Sequence, residues 1–130
     1  MSPGDTPSVT AAEVLQRYMD EDLPAFCDMH LTDVNQVGLF GERPLDVAAG
    51  RGNLEEICAL IEGGADVNAP GEHGNTALQE AVFQDHLPAV KLLHESGAWV
   101  DIRNKFGETA LDIALSRSRE NLVALLKGRK

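Results

Sequence analysis

Aromatic side chains are scarce in this chain of 130 residues, at 5% of the total, so a globular core built around large rings is excluded. What remains suits Leu, Ala, Val and Ile packed between thin layers. Cysteine is rarer still: Cys27 and Cys58 stand far from C-x-x-C spacing, and both are expected to be free thiols in a reducing compartment. The pattern puts Cys27 on a buried helix face and Cys58 on a more exposed one. No run approaches the roughly 18 consecutive apolar residues of a membrane span. The start, Met1-Ser2-Pro3-Gly4-Asp5, lacks the basic and apolar regions of a signal peptide, so a soluble cytoplasmic protein with no membrane partner is expected.

Positive charge is also in short supply, with 11 Lys and Arg against 21 Asp and Glu and a net charge of −10. The deficit is uneven. Residues 1–66 carry 13 carboxylates against Arg17, Arg43 and Arg51, whereas residues 103–130 carry seven cations against three acids. A nucleic-acid partner is disfavoured, because phosphates must be met by clustered Lys and Arg. A basic protein partner is favoured mildly, through steering of the encounter.

The groups that carry chemistry are absent or dispersed. None of His30, His73, His86 and His94 sits three or four residues from another, so no helical metal pair and no metal or other cofactor is indicated. There is no Gly-x-Ser-x-Gly, no phosphate-cradling glycine string with Lys, and no Cys–His signature. The chain is read as a non-enzyme.

What is present is a repeat. Gly74-Asn75-Thr76-Ala77-Leu78 returns after 33 residues as Gly107-Glu108-Thr109-Ala110-Leu111 and is preceded at the same interval by Gly41-Glu42-Arg43-Pro44-Leu45. The register holds inside each unit at Ala48, Ala81 and Ala114, at Ile57, Val90 and Val123, and at Leu60, Leu93 and Leu126. A fixed period of this length marks a stacked-repeat fold. The unit resembles the ankyrin repeat, most clearly in Pro44-Leu45-Asp46-Val47-Ala48-Ala49 and Gly64-Ala65-Asp66-Val67-Asn68, then in Thr76-Ala77-Leu78 and Gly97-Ala98-Trp99-Val100-Asp101. The resemblance implies an all-α solenoid of helix-turn-helix repeats with short hairpin-like loops, a module that binds proteins on its concave face.

In chain order, residues 1–9 lack periodicity and are expected to be disordered. Residues 10–127 form one repeat domain: a divergent cap pair over 10–40, repeats over 41–73, 74–106 and 107–127, and a basic tail at 128–130. Thr10 and Glu13 read as a capping box. Leu23-Pro24-Ala25-Phe26 echoes Leu87-Pro88-Ala89-Val90, so residues 10–31 are expected to hold a helix pair with an acidic outer face. Short first helices are predicted at about 44–50, 76–83 and 109–116, and second helices at about 54–62, 87–95 and 119–127. Gly63-Gly64 and Gly97 are placed to end second helices in a left-handed conformation. The last unit lacks the usual glycine before its second helix. Asp46, Gln79 and Asp112 stand where the family has a histidine, and a polar side chain there can bond turn backbone groups.

Positions that the fold leaves free give the candidate partner-binding residues. By register these are Leu39, Phe40, Glu42 and Arg51 in the first unit, Glu72, His73, Asn75, Phe83 and Gln84 in the second, and Lys105, Phe106, Glu108 and Arg117 in the third. Trp99 joins them because it replaces an Asp at a solvent-facing turn. Aromatics placed on the surface of an aromatic-poor chain are plausible anchors. The reading is a non-catalytic interaction module, monomeric alone, an inhibitor or adaptor of a basic protein. The alternative is a scaffold subunit that associates through the C-terminal end of the stack. Glu80, where the register expects an apolar residue, has no explanation in the sequence.

Overall fold

A computed structural model describes residues 9–128, and among these there are α-helices and single 3-10 turns but no strand. The helices are α1 (Ala11–Asp20), α2 (Pro44–Gly50), α3 (Leu54–Glu62), α4 (Ala77–Phe83), α5 (Leu87–Glu95), α6 (Ala110–Ser116) and α7 (Glu120–Lys127). The six helices of the three repeats fall within one residue of the expected spans.

Local signals start and stop them. Thr10, Thr76 and Thr109 each accept from the N–H three residues on, while Glu13, Gln79 and Asp112 reach back to the threonine N–H. In α2 Pro44 stands in the first turn, where no donor is lost, and Asp46 accepts from the Arg43 N–H at 2.9 Å. The second helices close with Gly64 (φ 100°) and Gly97 (φ 99°), after which Ala65 and Ala98 donate back to the Leu60 and Leu93 carbonyls. Gly63 keeps a negative φ of −82°, so the left-handed step falls on Gly64 alone.

Two rows of helices result. α2, α4 and α6 stack as the inner row, and α1, α3, α5 and α7 as the outer row. Ala48, Ala81 and Ala114 are fully buried because the inner helices approach closely, and Ile57, Leu60, Val90 and Leu93 fill the space behind them. No pair buries its own apolar surface, so each unit depends on the next.

The cap differs from expectation. Residues 10–31 hold one α-helix, not two: Pro24–Phe26 is a single 3-10 turn, and Asp22 (φ 50°) and Asp28 (φ 59°) turn the chain left-handed on either side of it. Val14, Leu15 and Tyr18 lie on one face of α1 and are buried, and the helix packs on α3 in the outer row. Phe26 then stacks on Tyr18, with ring centroids 6.2 Å apart. Cys27 accordingly ends a 3-10 turn instead of lying on a helix, and Cys27 and Cys58 are both half-buried free thiols. The expectation of disorder over 1–9 lies outside the described residues except at Val9, which packs partly buried against the core. Gly128 caps α7; the rest of the basic tail is also outside them.

The short helices end at three register-equivalent left-handed residues, Gly52 (φ 67°), Asp85 (φ 62°) and Ser118 (φ 55°). A non-glycine residue in this region is held there at a cost of roughly 1–2 kcal/mol. Replacing the exposed Ser118 with glycine is therefore expected to stabilise the protein by about 1 kcal/mol, after the greater freedom that glycine has when unfolded is subtracted. Denaturant unfolding measures this, and a midpoint equal to or below wild type refutes it.

Candidate functional site

Each repeat opens with a tight hairpin. Its ends are tied by one backbone bond: Gly38 N–H to the Glu42 carbonyl, Gly71 to Asn75, and Asn104 to Glu108, at 2.6–2.9 Å. The tips carry Phe40, His73 and Phe106, one ring per layer at the same register position. Phe40 and Phe106 are 57% and 68% exposed. Phe106 leans on His73, with centroids 5.6 Å apart and planes tilted by 44°. The Lys105 N–H donates to the His73 carbonyl at 2.9 Å, so the second and third tips are joined through backbone as well. His73 itself is left-handed, at φ 58°. Leu39 adds an exposed apolar side chain beside Phe40.

Carboxylates lie next to this aromatic row. Glu42 and Glu72 are half-buried in the hairpins, and Glu80 of α4 is half-buried behind them. Burial holds the Glu80 carboxyl above its ordinary range, the negative charge of Glu72 adds to this, and a hydrogen bond from the Asn75 side chain opposes it. The unexplained Glu80 thus belongs with the acids of the tips. Beneath it Asp46 is 6% exposed, and burial, with Glu80 adding to it and the Arg43 N–H opposing, pushes its carboxyl up to about 7. Both residues were absent from the sequence-derived set. The signal for Glu80 was its break in the apolar register; the signal for Asp46 was a carboxylate at a position that Gln79 fills with a donor.

Other candidates are engaged within the protein. Asn75 is buried and accepts from the Asn104 amide at 2.9 Å, which locks two hairpins together. Glu108 accepts from the same amide at 3.3 Å. Arg51 turns toward the cap: it bonds Glu21 in a bidentate pair at 3.0 and 3.1 Å, reaches Glu56, and lies over the Tyr18 ring at 5.1 Å. Phe83 is half-buried with the Arg117 guanidinium stacked 3.9 Å above its ring, and Gln84 beside it is exposed. Trp99, 64% exposed, belongs to another row, the turns after the outer helices, where Asp33 and Asp66 hold the two earlier positions. Its backbone N–H donates to Asn68 Oδ1 at 2.8 Å, as the Asp66 backbone N–H does to Asn35 Oδ1. Exposure gives Trp99 a free ring, but the aromatic row of the tips does not include it.

The polar residues at the histidine position do structural work. Gln79 accepts from the Thr76 N–H and donates to the carbonyls of Ile102 (2.6 Å) and Glu108 (3.3 Å), which joins layers two and three. Among the described residues no group of three or more His, Cys, Asp or Glu is placed to hold a metal ion, and no helix is long and apolar enough to cross a membrane.

Hairpin tips with exposed rings on a stacked helical frame define a repeat scaffold that presents a surface. The family model for ankyrin repeats in three copies matches residues 9–104 and 45–130, and the chain belongs to the ankyrin-repeat family. No curated protein sequence matches it. Ankyrin repeats are in general protein–protein interaction modules, typically without catalysis.

Proposed function

We propose that this protein binds a basic segment of a protein partner across its hairpin tips and inner helices, and acts as an inhibitor or adaptor of that partner in a reducing, cytoplasmic setting. The observation that carries the reading is the row Phe40, His73 and Phe106, set beside Glu42, Glu72 and Glu80. Rings on braced hairpins lose little freedom on docking and give apolar contact, while carboxylates at their side select cations and repel acidic competitors. Burial, with the charge of Glu72 adding to it, holds the Glu80 carboxyl above its ordinary range, and an incoming Lys or Arg favours its charged form.

The variant Phe40→Ser/His73→Ser/Phe106→Ser alters exposed side chains and is expected to keep its helical circular dichroism. A partner captured from cell lysate by wild type is expected to be basic, to be released as salt rises, and to lose at least tenfold in affinity for the variant. Equal retention by both proteins, with the fold intact, removes the tips from the binding surface.

A further inference from the structure

The end of the stack formed by α6 and α7 presents side chains that earlier layers hide. Leu115 of α6 stands at the register position of Val82 in α4 and Ala49 in α2, which are fully buried, yet it is 54% exposed. Leu111 and Val123 are half-buried where their counterparts Leu78 and Val90 are fully buried. Between Leu115, Ser118, Glu120, Val123, Ala124 and Lys127 lies an open groove of about 430 Å³. In the earlier layers the same face is covered by a pair of helices from the next unit, since α4 and α5 lie on α2 and α3, and α6 and α7 on α4 and α5.

Charge on this face is balanced and ordered. Glu120, Val123, Ala124 and Lys127 recur along α7 at the three- and four-residue steps that place side chains on one side of a helix, and Glu120 and Lys127 are exposed. The neighbouring charges are engaged within the chain: Arg103 pairs with Asp112 at 3.7 Å, Arg119 with Asp85 at 3.5 Å, and Arg117 lies over the Phe83 ring. The stripe therefore begins with an acid and ends with a base.

That order makes the face complementary to itself. The midpoint of Glu120 and Lys127 falls between Val123 and Ala124, so a second α7 laid antiparallel about that point sets Glu120 of each copy opposite Lys127 of the other. On α6, Leu111 and Leu115 straddle Ile113. Ile113 and the midpoint of the stripe each stand about five residues from Ser118 in the connecting turn, and so lie at nearly the same height along the helices. One two-fold axis thus also sets Leu111 of each copy against Leu115 of the other, as an interface made by the same patch on both copies requires.

The opposite end of the stack is a poor match for this one. On the outer face of α1, Ala12, Glu13, Gln16 and Asp20 are exposed, and no large apolar side chain is.

We infer that two copies of this chain associate through their α6–α7 ends about a two-fold axis, with α7 antiparallel to α7. The hairpin tips stand outside the stripe, so the pair presents two rows of tips and holds a partner with two binding segments more tightly than one copy does. An acid at the start of α7 and a base at its end also suit the dipole of that helix, a role that needs no second copy, and the test separates the two.

Molar mass is measured by light scattering across a concentration series at low salt. The wild type is expected to rise toward twice the mass of one chain, and Leu115→Glu, at an exposed site, to stay at one with its helical circular dichroism unchanged. Glu120→Lys and Lys127→Glu each set like charges opposite one another at both ends of the stripe, so each is expected to weaken association at least tenfold. An equimolar mixture of these two variants is expected to regain wild-type association, because each contact in the mixed pair joins a cation to a carboxylate. A role in the helix dipole alone gives no such recovery. A wild type that keeps the mass of one chain up to about 1 mM leaves the face to another protein and overturns the inference. So does a mass that climbs past two chains, association that survives Leu115→Glu, or a mixture that associates no better than either variant alone.

Discussion

Asp46→Asn is expected to raise stability at pH 8 and to flatten the dependence of stability on pH between about 4 and 7, leaving the protein little changed near pH 4.5. Asp46 is buried at the position where Gln79 donates to carbonyls of the next layer. A carboxylate has nothing to donate. A side-chain carbon built on Gly71 would overlap Asp46 Oδ2 and meet the Asn75 carbonyl at 3.4 Å, so acid and carbonyl converge there. The groups that face it are Glu42 and Arg43 in its own hairpin and Glu80 on α4.

Burial first, then Glu80, raises this carboxyl to about 7 from an ordinary 3.8. The folded state therefore binds more protons than the unfolded state between those values, and stability falls as pH rises through them. The upper limit of the effect is on the order of 4 kcal/mol, and relaxation of the stack reduces it. Glu80, also raised, acts in the same direction. Glu21, lowered by its bond from Arg51, and Asp112, lowered by the Thr109 N–H, act oppositely, but only as pH falls through their own depressed values. Urea unfolding of both proteins from pH 4.5 to 8.5 decides the matter. Parallel profiles for wild type and Asp46→Asn would show that the Asp46 carboxyl does not titrate in this range.

The second large effect concerns the cap. Glu56→Ala is expected to cost about 2–3 kcal/mol and to release α1 before the rest of the stack opens. Glu56 is fully buried, and its carboxylate accepts from Tyr18 Oη at 2.6 Å and from Arg17 at 2.8 Å, with Arg51 at 3.2 Å. Burial and this bond to Glu56 also push the Tyr18 hydroxyl well above its ordinary value. Removing the carboxylate strands a buried phenol, while Arg17 turns to solvent and Arg51 keeps its pair with Glu21. Because repeats interact only with neighbours, hydrogen exchange at Val14, Leu15 and Tyr18 is expected to quicken far more than at Ile113 and Ala114. Uniform quickening, or a loss under about 1 kcal/mol, would mean that apolar packing on α3 alone holds the cap.

Much of the candidate site was visible before folding was considered, since the repeat register places Phe40 and Phe106 at equivalent tips. His73 completes their row by the same count, and its packing on Phe106 is a through-space fact. Asn75 and Arg51 looked free because periodicity reports which face a residue occupies, not which neighbour its side chain finds. Each has a partner 29 or 30 residues away, Asn104 and Glu21. Glu56 drew no notice, although its register partners Ala89 and Leu122 are apolar and buried. One carboxylate among acids is invisible until two arginines and a tyrosine converge on it.

The amino-acid order by itself determined the family, the period of 33, the six helices of the repeats and the alanine and leucine positions of the core. Those follow from local periodicity, capping and turn chemistry, which act over a few residues and recur in every unit. Tertiary structure alone decided the cap, the burial of Asp46 and Glu56 and the uncovered face at Leu115. Each depends on what a neighbouring layer supplies or withholds, and that contact lies a repeat length away, beyond the reach of any local pattern.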